Sequence, residues 1–117
     1  MTNDLQGQLA AIDRDIESAK KVIEKAEALT RLSTNRDFKT LISEGLFKDE
    51  ALRLVFLKAD SNMQSPDKQA AILRDLDTIS GLNSYFQTVC ALANQAKGSL
   101  ESSEAMREEI EQEMSNG

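Results

Sequence analysis

The chain contains no histidine and only one cysteine, Cys90. Without histidine, the commonest general base and the commonest zinc ligand are both missing. Ser-His-Asp triads and their Cys-His relatives cannot be assembled within one chain. A lone cysteine closes no internal disulfide and builds no thiolate metal site. Proline occurs once, glycine five times, and aromatic residues make up 4%. A chain so poor in breakers and aromatics favours helices over a sheet. Long apolar runs are missing too: the longest is Leu54-Val55-Phe56-Leu57, whereas a membrane span needs about 18 residues. The opening Met-Thr-Asn-Asp-Leu-Gln lacks the basic and apolar regions of a secretory signal. Together these absences predict a soluble cytoplasmic protein with no membrane attachment, no enzymatic machinery and no cofactor.

Charge, by contrast, is plentiful and unevenly spread. Of the 117 residues, 29% are charged and 40% apolar, the balance of one small ordered domain. Six of the 20 acids fall in residues 101–117, against Arg107 alone; residues 1–100 keep 14 acids and 13 bases. The body is therefore near neutral and the tail carries most of the net −6. Neither offers the basic face that nucleic-acid phosphates require, so direct nucleic-acid binding is not expected. The predicted organisation is a single helical domain over 1–100 and an acidic helical extension over 101–117 that frays.

Periodicity supplies the architecture. Leu5, Leu9, Ile12, Ile16, Ala19, Ile23 and Ala26 are spaced alternately by four and three, a heptad seam on a helix over about residues 3–32. Glu17–Lys21 and Lys20–Glu24 can pair on its charged face, which reads as a solvated surface. From Pro66 a second seam runs through Ile72, Leu76, Ile79, Leu82, Phe86, Val89, Ala93, Ala96, Leu100, Ser103, Arg107, Ile110 and Met114. It predicts a helix over about 66–114, started by Ser65 as N-cap and Pro66 at the first turn. Gly81 is the candidate kink, and the polar slots Ser103 and Arg107 predict a seam that loosens past Leu100. Setting Ala26 against Phe86, Ala19 against Ala93 and Ile12 against Leu100 pairs the two seams antiparallel. The same seams could instead pair between chains, and heptads alone do not separate the two.

Between the long helices, residues 37–60 hold Phe38, Phe47 and Phe56 among frequent charges. Two short helices are predicted there. The first starts at a capping box of Thr34 and Asp37 and ends at Gly45 as a left-handed C-cap. The second runs from Asp49 to about Ala59, with Leu52, Val55, Phe56 and Ala59 as one stripe and Leu54 and Leu57 extending it sideways. A helix apolar on so many sides must be covered by more than its neighbour, by a third helix or by a partner. Phe47, Leu54, Phe56 and Leu57 are accordingly the candidate interface residues of a homo-oligomer. Asp60, Asn62 and Gln64 imitate a calcium loop, but Ser65 and Ala71 stand where such a loop needs glycine and glutamate. Cys90, beside seam position Val89, reads as a small buried or half-buried hydrophobe. Tyr85 and Phe86 read as core.

Asp37-Phe38, Leu41, Ile42, Glu44-Gly45 and Lys48-Asp49-Glu50-Ala51-Leu52-Arg53-Leu54-Val55 resemble a group of small tailed-bacteriophage proteins encoded among virion or late genes. The loop from Ala59-Asp60 to Ser65-Pro66, Gly81-Leu82 and Tyr85-Phe86 fit the same group. The resemblance spans roughly residues 35–95 and brings no catalytic residues. It implies a non-enzymatic helical protein in virion (head) assembly or a minor structural component, with itself and other phage or host proteins as partners. Its place would be the host cytoplasm or the virion. The acidic tail keeps a second reading open: a regulatory binder or inhibitor of a host protein. The fold expectation is thus an all-α small bundle, two long heptad helices with two short helices between.

Overall fold

A computed structural model of the chain describes residues 3–116. Met1, Thr2 and Gly117, the ends of the two predicted segments, lie outside the described residues. The fold is all-α, with no strand among the described residues. Helix α1 spans Asn3–Ser33. A second helical stretch comprises α2 (Arg36–Phe38), a π-helical segment (Lys39–Glu50) and α3 (Ala51–Ala59). A 3₁₀ turn at Ser61–Met63 leads into α4, Pro66–Asn116.

Local chemistry explains the boundaries. The side chain of Asn35 accepts from the backbone N–H groups of Asp37 and Phe38, so Asn35 caps α2. Thr34, expected in that role, instead donates its hydroxyl to the Arg31 carbonyl at the end of α1. A β-region Asn directly before the first turn satisfies two orphan N–H groups, and the cap falls there. Ser65 fills its expected place: its Oγ accepts from Lys68 N at 3.3 Å and its carbonyl from Gln69 N at 2.9 Å.

Two expectations fail between α1 and α4. Gly45 does not end a helix, since no described glycine has positive φ. The backbone passes through it in π form, where bonds close to the fifth residue rather than the fourth. A Cβ built on Gly45 would sit 2.6 Å from the Thr40 carbonyl oxygen. Glycine is thus required there by space, not by backbone handedness. The two short helices are in consequence one stretch with a change of hydrogen-bond register inside it. Gly81 does not interrupt α4 either: the helix runs unbroken through Gly81 and Gly98, and a Cβ at either would meet nothing within 4 Å.

The chain divides into two compact units. One joins residues 1–28 to 89–117. In it the seams face inward: Ile12, Ala19, Val89, Ala93, Ala96 and Ile110 are buried. Residues 13–20 share a groove with 104–111, and residues 15–22 share one with 92–103, so the helices run antiparallel. Arg107 Nε donates to Asp13 Oδ1 at 2.8 Å. The seam arithmetic puts Ser99 there, about two helical turns earlier. The pairing therefore lies further along α4, with the long Arg side chain spanning part of the offset. The tail is not a frayed appendage. Ile110 is 8% exposed and Arg107 bridges to Asp13 and Glu111, whereas Met114 stays 42% exposed.

The other unit, residues 29–88, has its core at Leu54, Ile72 and Ile79. Leu46, Phe47, Ala51, Leu57, Met63 and Leu76 pack around it. Phe86 joins Phe38, Phe47 and Tyr85 with ring centroids 6.0 Å apart in each pair. Tilted and edge-on aromatic pairs at this spacing add to simple burial. Tyr85 itself is exposed, as is Cys90 in the first unit, so neither is the core residue expected. Each sits next to a seam position, on the solvent side of α4.

Candidate functional site

The helix α3 is apolar on two opposite sides. Ala51, Leu54 and Leu57 recur at intervals of three and belong to the core or its surround. Leu52, Val55, Phe56 and Ala59 recur at intervals of three, one and three, a helical face in their own right. That second face is open: Phe56 is 68% exposed, and Leu52 and Val55 51% each. Single exposed hydrophobes are ordinary on a protein surface, but a contiguous set on one helical face makes that face the candidate contact site.

The π segment decides which face is which. Its turns hold more residues than the 3.6 of an α-helix, so each residue advances through a smaller angle. Over twelve residues the deficit accumulates and rotates α3 about its own axis relative to α2. The stripe of Leu52, Val55 and Phe56 faces outward. Leu54, expected at its edge, becomes the most buried side chain of the unit at 2% exposure.

Of the four candidate interface residues, then, Leu54 is in the core, and Phe47 and Leu57 are half-buried against it. Phe56 alone is presented. Leu52 and Val55 share the open face with Phe56 and were not among the four; the visible signal was that a helix apolar on two sides can leave one of them uncovered. Leu41 is also open, at 69% exposure, but lies on the π segment rather than on α3.

Charged groups flank the face. Lys48 precedes it and Asp60 follows it, both exposed. Asp60 is held in place: its side chain accepts from Asn62 N at 2.8 Å, and its carbonyl accepts from Gln64 Nε2 at 2.7 Å. Arg53 Nε donates to Glu50 Oε2 at 3.0 Å, and a second guanidinium nitrogen meets the other carboxylate oxygen. That hydrogen bonding holds the Glu50 carboxyl below its ordinary pKa. Arg53 is exposed and Glu50 half-buried, and the pair joins neighbouring turns at the surface of the helix. Beside the core, Phe47, Ala51, Leu73, Leu76 and Asn83 line an open cleft of about 580 Å³.

No group of three or more metal-ligating side chains is found among the described residues. No described helix is long and apolar enough to cross a membrane. No protein-family model matches the chain, and neither a curated protein nor a solved structure matches it.

Proposed function

We propose that this is a non-enzymatic helical protein that acts by protein–protein contact, in bacteriophage virion assembly or as a minor virion component. The observation that carries the contact reading is the open face of Leu52, Val55 and Phe56 on a helix whose other face is core. The phage setting rests on the resemblance across residues 35–95. On this reading the protein works in the host cytoplasm and the assembling particle, and its partners are its own copies and other phage or host proteins. The deciding experiment is mass spectrometry of purified virions and procapsids from cells infected by a phage encoding this chain. Recovery in either particle supports the assembly role; absence from both overturns it.

A second reading is favoured by the tail. Packing of Ile110 holds Glu104, Glu108 and Glu111 on an ordered helix, where they line one groove with Asp13 and Glu17. Lys20 and Arg107 line the same groove, and Arg107 is paired with Asp13 and Glu111, so the acids outnumber the bases five to two. A net acidic face suits the basic groove of a host regulatory target. Capture of such a target by the full chain, weakening steeply between low salt and about 0.5 M salt, would favour this reading, because exposed charges are screened beyond about 10 Å at 0.1 M and at shorter range as salt rises.

A further inference from the structure

The open α3 face has a charge order that selects its occupant. Going along the helix, the face is preceded by Lys48 and followed by Asp60. Laid antiparallel on a second copy and centred at the level of Leu54, the face is complementary to itself. Leu52 meets Phe56 of the other copy, and Phe56 meets Leu52. Lys48 comes opposite Asp60. Every match occurs twice, as an isologous two-fold interface requires. A parallel arrangement would set Lys48 against Lys48 and Asp60 against Asp60, placing like charges face to face at both ends.

We propose that α3 pairs with α3 of a second copy of this chain, antiparallel, with Leu52, Val55 and Phe56 as the buried centre and Lys48–Asp60 as the flanking charge pair. This deepens the contact reading above by naming the partner of that face. The apolar centre supplies the association, and the charges set direction and register. A centre of three large side chains per copy is small beside a standard interface of about 1,600 Å². The dimer is accordingly of micromolar strength, on the order of ten to a hundred micromolar.

Sedimentation equilibrium of the full chain, over about 1 to 500 µM, tests this directly. The wild type forms a concentration-dependent dimer, and Phe56→Glu abolishes it with helix content by circular dichroism unchanged. Lys48→Glu alone weakens the dimer about tenfold, as two like-charge contacts replace two attractions. Asp60→Lys alone does the same. The doubly substituted chain, Lys48→Glu with Asp60→Lys, regains the wild-type constant, because the swapped charges again face each other. A monomer throughout the range, a dimer indifferent to Phe56→Glu, or a double variant as weak as the singles overturns the proposal. The outcome is independent of virion association: a dimer can form in a protein absent from particles, and a particle component can be a monomer in solution.

Discussion

In the unit built from 1–28 and 89–116, every buried side chain sits on a heptad seam, and the glycine at 98 has open space around it. In the unit built from 29–88, a glycine is boxed in by a carbonyl oxygen and an apolar face is left open while its opposite becomes core. The same physics runs in both: large apolar side chains seek cover. The first has a regular backbone, so spacing along the chain translates directly into angle around the helix. In the second, a π segment changes that translation midway. Seam positions in the first unit are therefore interchangeable in kind. In the second, neighbours such as Leu54 and Val55 have opposite roles.

Substitutions can break or sharpen this contrast. The largest effect is expected at Leu54→Ala, which should lower unfolding free energy by about 2–5 kcal/mol, read by urea denaturation. Val55→Ala, one residue on, should change it by less than about 0.5 kcal/mol. A larger loss at Val55 than at Leu54 would mean that α3 presents its other face to the core.

Ile110→Ala probes the first unit. A buried Ile reduced to Ala should cost about 2–5 kcal/mol, toward the low end where one side of the cavity can relax. Removing residues 102–117 should likewise lower the melting temperature, since Ile110 and the Arg107–Asp13 contact leave with it. An unchanged melting temperature would restore the tail to the status of an appendage.

Glycines separate the π segment from the regular helix α4 by sign. Gly45→Ala places a methyl against the Thr40 carbonyl and should destabilise by about 1–3 kcal/mol. Gly81→Ala and Gly98→Ala should each stabilise by about 0.5–1 kcal/mol, by narrowing the unfolded ensemble and improving helix propensity. Differential scanning calorimetry of the three variants reads both signs. A stabilising Gly45→Ala would mean that the π register is not held.

The smallest effect concerns pH. Glu50 has its carboxyl pKa lowered in the folded chain by the Arg53 hydrogen bond. A lowered folded value contributes stability that is present above the ordinary carboxylate pKa, about 4.3, and fades as pH falls through the folded value. Glu50→Gln should lower stability slightly at pH 7 and leave it unchanged at acid pH, so that the acid limb of the profile is a little flatter. A marked loss at pH 7 would show that the pair organises α3 more than an exposed ion pair does.

The long helices were readable because period and burial are the same thing on a regular helix. From Leu5 to Ala26, and from Ile72 to Ile110, each seam position is buried or half-buried, Ser103 and Arg107 included. The start of α4 was readable as well, since Ser65 and Pro66 act within a single turn. The helical stretch 36–59 was readable as helical but not as one piece. Gly45 looks the same in sequence whether it ends a helix or makes room for a carbonyl. The candidate site was readable as a region, with only Phe56 of its chosen residues on the open face.

Composition and spacing by themselves determined that the chain is helical, where its long helices lie and which residues line their seams, because those follow from local propensity and from one repeating angle. The tertiary structure alone decided which face of α3 is covered, where Arg107 finds its partner and that the acidic tail is packed. Each of these depends on how far a backbone has rotated or slid against a distant segment. A change of hydrogen-bond register shifts that rotation without altering a single residue of the pattern.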